Sequence, residues 1–260
     1  MAGTHTGAAG GQAAAGFLGI DAGTQGLSVI WTDARLRILA TGEAGYAMEP
    51  GLDEGCYEQR PADWERALRE AMESLRKDAA AKGLSLRVAA IGISGQMHGE
   101  VLCDAAGEAL APARLWCDGR NEAEGAELTE RLGVKMPKRI TAARYLWTLR
   151  HRPDLAKRAS ELTTPAGWIA RRLTGTRVLG IGDAAGMFPI DQATLDWDRR
   201  RLDDFDALVA ATPGGPFPRL ADLLPRVARA GADGGTLDAR GAALLGLPEG
   251  TPVAPAEGDQ

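Results

Sequence analysis

The chain of 260 residues carries thirty basic against thirty-five acidic side chains, a net charge of −5; this balance excludes a general electrostatic footprint for nucleic acid and favours a small-molecule partner. Hydrophobic residues at 45% and charged residues at 25% are the proportions of a soluble globular protein, and no apolar run approaches the roughly 18 residues of a membrane helix, so no membrane partner is expected. Cys56, Cys103 and Cys117 are an odd number without C-x-x-C spacing, which implies neither a disulfide framework nor a zinc knuckle and fits a reducing cytoplasm.

Residues 1–15 are rich in Ala and Gly and lack the charged start and apolar core of a secretory signal, so they read as a disordered tail. Residues 17–21 form a short apolar run closed by the turn Ala22-Gly23-Thr24-Gln25-Gly26, and the β-type pattern resumes over 27–32. With a third strand over 37–45, three antiparallel strands open the fold. Trp64, Leu68, Met72 and Leu75 recur at helical spacing, Pro61 suits a first turn and Gly83 supplies a stop, so 61–81 is an amphipathic helix. Residues 86–94 are nearly continuous apolar sequence, as in a strand buried on both faces, and strand, helix, strand at this spacing implies a crossover onto one sheet. A further strand is expected over 100–104, helices over 122–132, 142–150 and 165–173, a surface connection over 212–219, a short helix over 240–247 and a last strand over 251–255. No internal repeat is visible, and the pattern is that of one main domain.

Three clusters could carry chemistry. Asp21 stands at the end of the first strand, before a glycine-rich turn holding Gly23, Thr24 and Gln25. Glycines let backbone N–H groups converge on phosphate, and an adjacent acid can hold the magnesium that accompanies a nucleotide. An ordinary hairpin turn accounts for the same residues. Ser94-Gly95-Gln96-Met97-His98-Gly99 follows the central strand, where ligand sites lie in open α/β sheets. His98 there fits a binding role and a structural one equally. Trp116-Cys117-Asp118-Gly119-Arg120 joins an aromatic face to an acid and a guanidinium, and also reads as a polar turn entering a helix. Walker A and G-x-G-x-x-G patterns are absent, Ser94 lacks the second glycine of a hydrolase nucleophile elbow, and three histidines do not make a metal site. Asp259 alone reads as an exposed chain end.

In order and wording these stretches, with Gly182-Asp183-Ala184-Ala185-Gly186-Met187-Phe188 and Glu257-Gly258-Asp259-Gln260, resemble the FGGY carbohydrate kinases, the xylulokinase branch in particular, from Phe17 to Gln260. The resemblance implies an α/β, actin-like (ribonuclease H-like) ATPase fold, with a mixed five-stranded sheet flanked by helices. It also implies that residues 16–260 are the N-terminal sugar-binding domain, and that the lobe gripping the nucleotide lies outside these residues. Asp259 is then the catalytic base; Met97, His98 and Gln260 bind the sugar; Asp21, Gly23, Thr24 and Gln25 meet the nucleotide; and Asp21 with Asp259 serves Mg²⁺. The implied reaction is ATP-dependent phosphorylation of a ketopentose such as D-xylulose to its 5-phosphate, with ATP and a small sugar as partners and a homodimer left open. Another ketose, a pentitol or gluconate are the alternative substrates, and a sugar-binding module without catalysis is the alternative class. The first lobe alone is not expected to turn over.

Two departures stand out. The family commonly shows Gly-Gly-Asp-Asn where this chain has Glu257, Gly258, Asp259 and Gln260, and Ser or Thr where it has Gln25. If Glu257 and Asp259 both face the cleft, their repulsion is expected to raise one pKa.

Overall fold

A computed structural model describes residues 15–259. Residues 1–14 and Gln260 lie outside the described residues, and with them most of the expected tail and one expected sugar contact. Strands β1 (Gly16–Ala22), β2 (Gly26–Thr32) and β3 (Ile38–Gly45) form the expected antiparallel meander. Alternation decides its buried face: Leu18, Ile20, Ala22, Leu27, Val29 and Trp31 point inward, while Phe17, Gly19 and Asp21 point out.

After the short strand β4 (Glu58–Gln59), helix α1 (Pro61–Ala81) runs over the expected residues and buries Trp64, Leu68, Met72 and Leu75 against β2 and β3. Gly42 permits this close packing, because a Cβ there would overlap the backbone of Ala71 and Leu75. Strand β5 (Val88–Gly95) then pairs in parallel with β1, and the terminal strand Glu257–Gly258 pairs in parallel with β5. The sheet order is terminal strand, β5, β1, β2, β3.

One face of β5 departs from expectation. Ile91, Ile93 and Gly95 are buried, but Ala89 and Gly92 are exposed and Ser94 is half-buried. Ala and Gly in the alternate positions made the run look apolar throughout, although they bring little surface to bury. The last strand also begins later than expected: residues 251–255 contribute only isolated bridges, at Pro252 and Val253.

Helices α2 (Glu122–Leu132), α3 (Thr141–His151), α4 (Pro153–Ala156), α5 (Pro165–Thr174) and α6 (Ile181–Met187) complete the surroundings of the site. The expected strand near residue 100 is Val101–Cys103, paired with Glu161–Thr163 outside the main sheet. Helix Arg199–Ala211 was not read from sequence, although Leu202, Phe205, Leu208 and Val209 give it a buried stripe and Asp198 caps it by accepting from the amide of Arg201. Among the described residues no helix is long and apolar enough to cross a membrane.

Candidate active site

The parallel ladder aligns the carboxyl ends of three strands. Asp21 is opposite Ser94, Ser94 is opposite Glu257, and Ala22, Gly95 and Gly258 form the next rung. Asp259 comes directly after this rung and its amide donates to the carbonyl of Gly95 at 2.9 Å. Two carboxylates, Asp21 and Asp259, therefore emerge at one edge of the sheet. Asp259 is an exposed residue, yet partial desolvation of its carboxyl, followed by the negative charge of Asp21, pushes its pKa above the usual range, while a hydrogen bond from the Met97 backbone opposes the rise.

The turn between β1 and β2 is tied down from three sides. The Tyr46 hydroxyl donates to the carbonyls of Gly23 and Gly26, and Gln59 Nε2 donates to the carbonyl of Thr24 at 2.7 Å. Gln59 Oε1 in turn accepts from Trp64 Nε1 at 3.1 Å and Gln96 Nε2 at 2.9 Å. The turn is thus coupled to α1 and to the loop after β5. Trp116 Nε1 donates to Thr24 Oγ1 at 3.2 Å.

A cavity of about 300 Å³ opens beside this turn, lined by Thr24, Met97, His98, Trp116, Arg139 and Asp259. Met97 lies against Gly258, where a Cβ would displace it. His98 has a left-handed backbone, φ 62°, which is uncommon for a residue with a side chain. Its Nδ1 is 2.9 Å from the Gly186 carbonyl. A carbonyl only accepts, so Nδ1 carries the proton. Burial, the largest influence, lowers the His98 pKa and keeps the ring neutral, leaving Nε2 as an acceptor.

The third cluster divides between its two readings. Trp116 is 45% exposed and lines the cavity, whereas Asp118 is fully buried, paired with Arg120 at 2.6 Å and accepting from the amide of Tyr57. Arg120 also meets Glu58 at 2.6 Å. The acid and the guanidinium therefore hold the loop, and the aromatic ring faces the site.

Of the residues expected at the site, Asp21, Thr24, Met97, His98 and Asp259 come together. Gln25 lines a separate groove with Ser28, Glu43 and Gly45, and Gly23 contributes a carbonyl to Tyr46. The expected repulsion between Glu257 and Asp259 does not act on Asp259. Glu257 turns under α6, against Gly180 and Gly182, and accepts from the amide of Asp183 at 3.2 Å. Asp259 lies past the last strand residue, where alternation no longer fixes its side. The repulsion falls instead on Asp183, which is fully buried and pushed up to about 7 by burial, with Glu257 and Asp259 adding to the rise.

Arg139 and Arg144 were missed from sequence. Arg144 on α3 is fully buried and bonds to carbonyls from three segments: His98 at 3.1 Å, Leu115 at 3.0 Å, Trp116 at 2.8 Å, and Arg139. No spacing in the chain signals such a set, because every acceptor is backbone.

A cleft at the carboxyl ends of a mixed sheet, holding a paired acid and a polar cavity, defines a ligand-binding α/β domain. The chain belongs to the FGGY family of carbohydrate kinases: the description of that family's N-terminal domain matches residues 17–260. Its fold is the actin-like ATPase fold. The chain is 32% identical over 227 residues to xylulose kinase of Escherichia coli, covering 82% of this chain and 45% of the relative. It is 31% identical over 254 residues to xylulose kinase of Streptomyces coelicolor, covering 93% and 48%. The crystal structure of xylulose kinase from Rhodospirillum rubrum superposes with a TM-score of 0.79 at 25% identity, covering 93% of this chain and 48% of that one. The chain thus spans about half the length of the curated relatives it matches.

Proposed function

We propose that the full-length protein transfers the γ-phosphoryl group of ATP to a ketopentose, D-xylulose in the first instance, and that residues 16–260 are its sugar-binding lobe. One observation carries this reading: Asp259, with a raised pKa, lies on a sugar-sized polar cavity beside Asp21 at the ends of parallel strands. The choice of xylulose rests on the relatives at about 30% identity.

Phosphoryl transfer asks the protein mainly for alignment, charge neutralisation and a base for the attacking hydroxyl. Asp259 takes the proton of the sugar hydroxyl, and its raised pKa makes it a stronger base than an ordinary carboxylate. His98 Nε2 accepts from a second hydroxyl, and Trp116 offers an apolar face to the carbon skeleton. The backbone of the β1–β2 turn, held by Tyr46 and Gln59, faces the phosphates.

Among the described residues no group of three or more acidic, His or Cys side chains could cage a metal ion. The repelling pair Asp21 and Asp259 fits a magnesium ion brought by the nucleotide, which binds through one or two carboxylates plus phosphate oxygens. Mg²⁺ bound there supplies charge neutralisation to the phosphates. The test is ATP-dependent phosphorylation by the full-length protein across a ketopentose, other ketoses, a pentitol and gluconate. Turnover greatest with the ketopentose is expected, and no turnover on any of them refutes the reading.

A further inference from the structure

Glu257 has no part in the mechanism above, yet its carboxylate is built into the frame of the site. Helix α6 has only seven residues, too few to be fixed by its own hydrogen bonds. Its N-cap residue is Gly180, which has no side chain to receive the first amides of the helix. Glu257 receives them from the terminal strand. Its Oε2 accepts from the amide of Asp183 at 3.2 Å, and the amide of Gly182 also bonds to the carboxylate. The helix dipole favours a negative group at this end. The place is shaped for it: a Cβ on Gly180 would fall on the Glu257 carboxyl, and one on Gly182 would crowd Oε2. Backbone fixes the approach, since the amide of Gly180 donates to the carbonyl of Ala256 at 2.8 Å.

The far end of α6 touches the sugar cavity. There the Gly186 carbonyl accepts from His98 Nδ1 at 2.9 Å and sets the ring. A Cβ on Gly186 would overlap the His98 ring and press on the end of Met97. Met97 is confined from the other side by Gly258, the residue after Glu257. A closed circuit results, from Glu257 to α6, through Gly186 to His98 and Met97, and from Met97 back to Gly258. Asp259 has a separate anchor. The strand before it pairs with β5 through Gly258 and Gly95, and its own amide donates to the Gly95 carbonyl. Loss of the Glu257 carboxylate therefore frees α6 and leaves the base in place.

We propose that Glu257 is a positioning residue: by capping α6 it fixes the tautomer and direction of the His98 ring, and through that ring, resting on the sugar-kinase reading, the affinity for the sugar. His98 donates from Nδ1 to Gly186 and offers Nε2 to a hydroxyl only while α6 keeps its place.

The first experiment reads the ring without a ligand. Nitrogen NMR of the full-length protein labelled at histidine, at pH 8, separates the two neutral tautomers, and His98→Asn assigns the signals. The wild type should show one tautomer, protonated at Nδ1. Glu257→Ala should show an average of both, and so should Glu257→Asp, whose carboxylate is one methylene short of the helix. Glu257→Gln keeps the reach and an acceptor oxygen, and should restore the single tautomer. If Glu257→Ala does not fold, Glu257→Asp gives the same readout. An averaged ring in the wild type, or a single tautomer in Glu257→Asp, overturns the assignment.

Calorimetric titration of a 2-ketopentose carries the test to binding. Glu257→Ala should bind about tenfold more weakly, the scale of a charge-assisted hydrogen bond, with kcat within about twofold of wild type. Added to His98→Asn it should cost less than about twofold more, and independent, multiplying losses would place Glu257 outside the His98 circuit. Turnover by the wild type is scored separately. No turnover on any sugar, with the tautomer shift observed, refutes the kinase reading alone, and turnover with an unmoved tautomer refutes this inference alone.

Discussion

Asp259 reaches the cavity, and the charge of Asp21 acts on it, from the ends of strands whose relative heights are set by a continuous parallel ladder, whereas His98, Trp116 and Arg139 reach it from three loops. The acidic floor is held by many backbone hydrogen bonds shared along the sheet. The wall depends on one buried guanidinium, Arg144, which contacts the carbonyl of each of the three wall residues. A floor side chain can therefore be replaced without moving its neighbours, and its loss should register in the chemistry. A wall support cannot be replaced so locally, and its loss should register in sugar binding.

The largest expected effect is at the floor. With Asp259 as the proposed base, Asp259→Asn should lower kcat of the full-length protein by about a thousandfold, within the range for loss of a general base, and a steady-state assay with the ketopentose checks it. Arg144→Met should come next. It strands several carbonyls, each costing about 1–3 kcal/mol when left unsatisfied in a buried place. Sugar affinity should fall by about tenfold or more while KM for ATP holds, and Arg144→Lys, with three donors instead of five, should restore part of the affinity. Wild-type sugar affinity in Arg144→Met would show that the wall stands without this arginine.

A smaller effect concerns pH. Asp259 must be ionised to accept a proton, and burial with the Asp21 charge raises its pKa, so kcat/KM should fall on the acid side at a higher pH than an ordinary aspartate gives. Asp21→Asn removes the repelling charge and should move that limb to lower pH, whatever it does to the maximal rate. The smallest effect lies beneath the floor. Asp183 has a folded-state pKa of about 7 against 3.8 for the free group, so the folded state holds this proton more tightly than the unfolded one. Its contribution to stability is complete below about pH 4 and lost as pH rises through 7. Urea denaturation at pH 5 and pH 8 should show a loss in the wild type that Asp183→Asn lacks, the amide keeping an oxygen for Thr164.

Floor and wall also differ in what the sequence discloses. The strand and helix periods around Leu18, Ile20, Trp64 and Met72 are local, and together with the turn residues they suffice to place Asp21 at a strand end. Asp259 was legible only through its resemblance to a family, since an acid at a chain end has no local signature. His98 and Trp116 were visible as candidates because their residue types are unusual in turns. Their supports were not. Arg139 and Arg144 lie in an ordinary basic stretch and the start of a helix, and what distinguishes them is which carbonyls and which cavity the tertiary fold brings to them. Glu257 shows the same limit, because its turn under α6 depends on the backbone of Gly180 and Gly182.

The division of labour between floor and wall rests most directly on the affinity of the Asp259→Asn protein for its sugar. Calorimetric titration of D-xylulose into the full-length variant should return a Kd within about threefold of wild type, since in the proposed mechanism the base acts in transfer and the wall does the holding. A loss of affinity beyond about thirtyfold would place Asp259 among the sugar-holding groups and contradict the account.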